Sequence, residues 1–124
     1  MHLGRTPYEA IIEASGPDLA ALGASLAALA LGERVEYRAS VKDWPPGVTT
    51  GTLLTVTCTP GPFLALWSAD GNLRIEGNAA ILNDFAASFD FGPNVHTGAH
   101  AHWDLAGLSD DVHEDSLSLV VQVA

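Results

Sequence analysis

The sequence predicts an α+β domain. The expected architecture is a two-layer sandwich: a mainly antiparallel sheet of about six to seven strands, with two helices on one face. Three observations lead there. Several short segments alternate apolar and polar residues with β-branched enrichment, the pattern of half-buried strands. Two alanine- and leucine-rich stretches carry apolar residues at helical spacing. The two halves of the chain also look alike at a shift of 63 residues, each reading strand–helix–strand–strand. Leu19, Leu22 and Leu26 then fall on Leu82, Phe85 and Phe89, and Leu54, Val56 and Cys58 on Leu117, Leu119 and Val121. Neither half would cover its own sheet alone, so the two are expected to pair into one antiparallel sheet.

Taken in order, residues 1–7 read as a loose lead-in. Tyr8 to Ser15 alternates, placing Tyr8, Ala10, Ile12 and Ala14 on one strand face. Ser15-Gly16-Pro17-Asp18 breaks the strand, with Pro17 suited to a first helical turn and Ser15 or Gly16 to a cap. Leu19, Leu22, Leu26 and Leu29 predict a helix over 17–31, stopped at Gly32. Residues 34–40 alternate again as a strand. Lys42 to Gly47 holds two prolines and a glycine and must be an irregular loop. Residues 52–59 form a β-prone strand in which Cys58 packs as a small apolar group. Strands at 63–68 and 72–76 flank Asp70-Gly71, a hairpin signal. Gly77-Asn78 opens a second helix over 79–89, ended by Phe91-Gly92-Pro93-Asn94. Strands at 100–104 and 117–123 close the chain, joined by an acidic loop.

With 124 residues and 48% apolar side chains, the chain is long enough for one domain with a real core and no staples. No apolar run reaches the roughly 18 residues of a membrane span, and no signal-peptide h-region follows the N-terminus. A lone Cys58 fits a reducing, cytoplasmic setting. The net charge is −10, unevenly spread. All five basic residues (Arg5, Arg34, Arg38, Lys42, Arg74) lie in the first 74 positions beside seven acidic ones, and eight acidic residues follow with none. Such a field repels nucleic acid and attracts a basic protein. Plain solubility is the blander reading of the same charge.

Candidate functional residues gather in 98–123. His100, His102 and Asp104 share one strand face by alternation. Asp110, Asp111, Glu114 and Asp115 follow with no cation between them. His96, His100 and His102 are the candidate metal ligands, although H-x-H alone is a weak zinc signal because a site needs three or four ligands. Those histidines equally suit a solvated sheet face. No G-x-S-x-G elbow and no Gly-rich phosphate loop occurs, so a catalytic residue and a cofactor are not expected. Trp67 alternates with Phe63 and Ala65 and belongs to the core. Trp44 either stands exposed as a partner anchor or folds back on the sheet.

The segments LRIEGNAAILNDFAASF, HAHWDL and DSLSLVVQV resemble the small immunity proteins of bacterial polymorphic toxin systems, and among them the immunity protein 32 family. The resemblance covers about 73–123. It is carried by a strand ending near glycine, a helix with spaced apolar residues, a His-rich strand and a terminal S-x-x-Leu-hydrophobic strand. Phe85 and Phe89 stand where leucines are expected. It implies a cytoplasmic, non-enzymatic protein that binds and blocks a cognate toxin. The matching positions are His100, His102, Asp104 and Ser116, to which the resemblance assigns no role. The expected partner surface is His100, His102, Asp104, Asp110, Asp111, Glu114, Asp115 and Trp44, set against a basic, nuclease-like groove. The other readings are a metal-binding or metal-dependent hydrolytic domain using His96, His100 and His102, and a homodimer or larger homo-oligomer paired through an exposed sheet edge.

Overall fold

The computed structural model describes residues 1–103 and 111–124. They form an α+β sandwich of two helices and two mixed sheets, so the predicted class and helix count hold. The strands are β1 (His2–Arg5), β2 (Glu9–Ala14), β3 (Arg34–Arg38), β4 (Thr49–Gly51), β5 (Leu53–Cys58), β6 (Leu64–Trp67), β7 (Asn72–Gly77), β8 (His100–Trp103) and β9 (Ser118–Val123). Helix α1 (Gly16–Ala27) follows β2, and α2 (Ala79–Ala86) follows β7 and ends in a 3-10 turn over Ala87–Phe89. Among the described residues no helix is long and apolar enough to cross a membrane.

The strands do not join into one sheet as the repeat suggested. One sheet has the order β4-β1-β2-β9-β8 and the other β3-β5-β7-β6. Each contains one hairpin from either half, joined through a parallel pair: β2 with β9 and β5 with β7. The remaining pairs are antiparallel. Periodicity says which face of a strand is apolar but not which sheet receives it, and this is why two sheets escaped prediction.

The repeat itself is present and longer than expected. Residues 1–7 are no loose lead-in: His2–Arg5 pairs with β2, and Leu3 is fully buried. Each half is thus hairpin–helix–hairpin. The pairing registers fix the correspondence. Strand β2 and helix α1 match β7 and α2 at an offset of 63, and the capping residues Ser15 and Asn78 obey the same offset. The last strand of each half matches at 65, not 63, so Leu54, Val56 and Cys58 correspond to Leu119, Val121 and Val123.

Helix α1 begins where predicted, with the Ser15 hydroxyl accepting the Asp18 N–H and Pro17 in the first turn. It stops at Ala27, earlier than the leucine spacing suggested. Leu29 remains buried, but the chain from Ala30 turns, with the Glu33 N–H donating to the Ala30 carbonyl. Gly32, at φ 86°, is a conformation a side chain disfavours, and its N–H reaches the Cys58 carbonyl. The Asp70-Gly71 hairpin also forms, over a four-residue connection in which Gly71 has φ 83°.

Leu3, Ile12, Leu19, Leu26, Leu54, Leu73, Phe85 and Leu119 are among the side chains of one continuous core that draws on both sheets and both helices. Cys58 packs there as a small apolar group, 1% exposed. The helices meet at Gly23. A Cβ there would stand 2.8 Å from the Phe89 Cβ and 3.0 Å from the Ala86 carbonyl. Gly23→Ala should therefore destabilise the fold by about 1–3 kcal/mol, although alanine favours helix by about 1 kcal/mol. A lower urea midpoint at unchanged slope is the expected result. A raised midpoint would show that the helices have room to separate.

Candidate interaction surface

Strand alternation gives the β4-β1-β2-β9-β8 sheet two unlike faces. Leu3, Ala10, Ile12, Leu119 and Val121 point into the core. The other face carries His2, Gly4, Ile11, Glu13, Val120, Gln122, His100 and His102, ordered across the strands by the pairings His2–Glu13–Gln122–His100 and Gly4–Ile11–Val120–His102. The irregular segment 41–48 lies on this face. Pro45-Pro46 and the left-handed Gly47 (φ 91°) keep it from continuing as strand. Trp44 folds back: its indole N–H donates to the Leu3 carbonyl at 3.1 Å, and its ring crowds Gly4, where a Cβ would come within 3.0 Å. It is half-buried on its own sheet and is not a projecting anchor.

Lys42 enters the same layer. Its ammonium sits 4.1 Å from the Trp44 ring centroid and 2.6 Å from one Glu13 oxygen, while the Gln122 amide donates to the other oxygen at 2.6 Å. Glu13 is only 4% exposed. Burial pushes its carboxyl upward, but the Lys42 and Gln122 hydrogen bonds and the charges of Lys42 and His2 together outweigh that, leaving it below the ordinary carboxylate value. Sequence reasoning missed this node. Only the break in alternation at Glu13, an acid inside the run Ile11-Ile12-Glu13-Ala14, hinted at it.

His100 and His102 share one exposed face of the edge strand β8, as the alternation predicted. Their rings lie 5.0 Å apart and nearly perpendicular. His100 Nδ1 lies 3.2 Å from the Gly98 carbonyl oxygen. His96 is exposed in the preceding turn, its Nδ1 against the Thr97 carbonyl. Among the described residues no three His, Cys, Asp or Glu side chains gather as a metal site would require. Asp104 and Asp110 lie outside the described residues.

Asp111, Glu114 and Asp115 are exposed on a segment whose backbone is pinned to β6. The Phe63 N–H donates to the Asp111 carbonyl and the His113 N–H to the Phe63 carbonyl, both at 2.8 Å. Buried Ser116 accepts the Ala65 N–H at 2.9 Å, and the Leu117 N–H reaches the Ala65 carbonyl at 2.9 Å. Ser116, singled out only by resemblance, thus has a structural role here. The cations lie elsewhere. Lys42 is held by Glu13, Arg34 stands 3.5 Å from Glu36, and Arg38 and Arg74 are exposed on the outer face of the β3-β5-β7-β6 sheet. Among the described residues only His113, 3.9 Å from Asp115, is within ion-pair distance of the three carboxylates.

Comparison with protein families, curated proteins and solved structures finds no match to this chain.

The Glu13 node has a pH signature. A carboxyl held below its ordinary value of 4.5 adds stability at higher pH, and loses it as pH falls through the folded value. Glu13→Gln should flatten the fall in stability below about pH 4.5. Lys42→Ala should cost about 1–2 kcal/mol near neutrality, between the ranges for exposed and buried pairs, because Lys42 is one-third exposed. Urea titrations between about pH 3 and 7 read both effects. An acid limb as steep in Glu13→Gln as in the parent would assign it to other carboxylates.

Proposed function

We propose that this chain is a non-enzymatic binding protein of the immunity type, which neutralises a basic, nuclease-like toxin in the cytoplasm by covering its groove. One observation carries the reading. Asp111, Glu114 and Asp115 are exposed on a segment pinned by backbone hydrogen bonds, with no lysine or arginine in ion-pair distance among the described residues. Carboxylates fixed in this way keep their field and lose little entropy on docking. A toxin that binds phosphates must present cations, and those cations are what this segment attracts. The resemblance of 73–123 to toxin-system immunity proteins points the same way.

His100 and His102, exposed on β8, extend the proposed surface beyond the acidic segment. Trp44 has a smaller part in it than in the sequence-based expectation, because its indole is already engaged with β1.

The test uses the product of a neighbouring toxin-like reading frame and its association rate with this protein. Raising salt from about 50 to 500 mM should slow capture about tenfold or more. The triple variant Asp111→Asn, Glu114→Gln, Asp115→Asn should slow capture at low salt, leave the unfolding free energy within about 0.5 kcal/mol of the parent, and flatten the salt dependence. A variant that captures the toxin at the parental rate would move the interface elsewhere. Failure of the two proteins to associate at all would overturn the reading.

A further inference from the structure

Strand β8 forms one edge of its sheet, and its two histidines are placed for joint ligation. The Val123 N–H donates to the Ala99 carbonyl at 2.8 Å, and bonded residues alternate along an antiparallel ladder. Ala101 and Trp103 therefore turn their backbone groups toward β9, and His100 and His102 turn theirs toward the open edge. Among the described residues no strand lies beyond them. An unpaired edge of this kind is a template for another strand.

The side chains of His100 and His102 stand exposed on one face, with ring centres 5.0 Å apart. Two imidazoles bound to one tetrahedral zinc at about 2.0–2.1 Å have ring centres about 5 Å apart. His100 Nδ1 lies 3.2 Å from the Gly98 carbonyl oxygen. A carbonyl only accepts, so Nδ1 carries the hydrogen and Nε2 keeps the lone pair that a metal needs. Ligating histidines are commonly oriented by such a backbone contact. One chain still offers only half a ligand set, because no third His, Cys, Asp or Glu joins the pair among the described residues.

We propose that two copies of this chain share one zinc ion across paired β8 edges. Antiparallel pairing of β8 with the β8 of a second copy, centred on Ala101, sets His100 of each copy opposite His102 of the other. It uses the backbone groups that β9 leaves free. Opposed residues stand about 5.5 Å apart and alternate residues about 7 Å, so four imidazoles rise from one small patch that a single tetrahedral ion can span. The dimer joins two five-stranded sheets through the metal and the new ladder. His96, in the preceding turn, takes no part. The site does not rest on the toxin reading, which the 111–115 carboxylates carry.

The experiment is a zinc titration of tag-free protein, read by sedimentation velocity and by histidine ring signals in NMR spectra. With chelator the protein should sediment as the 12.9 kDa monomer. Zinc should convert it to a dimer that saturates at one ion per two chains, with ring shifts at His100 and His102 and none at His96. Magnesium, a poor partner for imidazole, should leave the monomer unchanged. His100→Ala and His102→Ala, both at exposed positions, should each weaken zinc binding by at least about tenfold, the smaller cost of losing even an outer-shell partner. The double variant should stay monomeric, and His96→Ala should behave as the parent. A mass that zinc leaves unchanged overturns the proposal. So does a dimer that persists in excess chelator, one that forms equally in the double variant, or one that is lost in His96→Ala.

Discussion

The parallel pairing of strands from opposite halves is the constraint on which the rest of this structure depends. Glu9 to Ala14 runs beside Ser118 to Val123, and Leu53 to Cys58 beside Asn72 to Gly77. Parallel pairing needs long crossovers and apolar faces that are covered. Between β2 and β9 the crossover is most of the molecule, between β5 and β7 it is the 59–71 connection that includes β6, and the cover of both seams is a core shared by both halves. A single half holds two hairpins and a helix, but each hairpin is an incomplete sheet whose inner strand lacks its neighbour. Exchange of hairpins completes both sheets at once. Ile12 and Val121, at paired positions of one seam, and Val56 and Ile75, at paired positions of the other, bury their side chains in the same core.

This arrangement also distributes charge. On one sheet the outer face is occupied by the 41–48 segment, which draws Lys42 inward to Glu13 and lays Trp44 over Gly4. On the other sheet the outer face stays open and holds Arg34, Arg38 and Arg74 with Glu36 and Glu76. The late carboxylates stand on the connection into β9, held by Phe63, just before β6, and by Ala65 within it. The sequence asymmetry of charge is thus translated into separate surfaces rather than cancelled by pairing across the molecule.

Local signals were readable and long-range ones were not. The leucine spacing and the caps placed both helices, and Asp70-Gly71 placed a hairpin. Alternation put His100 and His102 on one face. The strand at His2–Arg5 was missed because four residues give too little alternation to stand out, and its stability comes from pairing with β2 and β4. The short strand β4 was likewise hidden by the Pro-Gly segment before it. Trp44 could be read either way from sequence, because what holds it is a carbonyl 41 residues earlier and a glycine with no side chain in the way. The Glu13 node joins residues 29 and 109 positions apart, beyond any local pattern.

The interleaving of halves is tested most directly by equilibrium urea unfolding read with separate probes. Trp44 belongs to the first half, and Trp67 and Trp103 to the second, so single-tryptophan variants report each half separately. Since neither half can keep a sheet without the other, fluorescence from either half and far-UV circular dichroism should give one coincident transition. Two separated midpoints, one for Trp44 and another for Trp67 and Trp103, would mean that the halves fold independently and would contradict the exchanged-hairpin account.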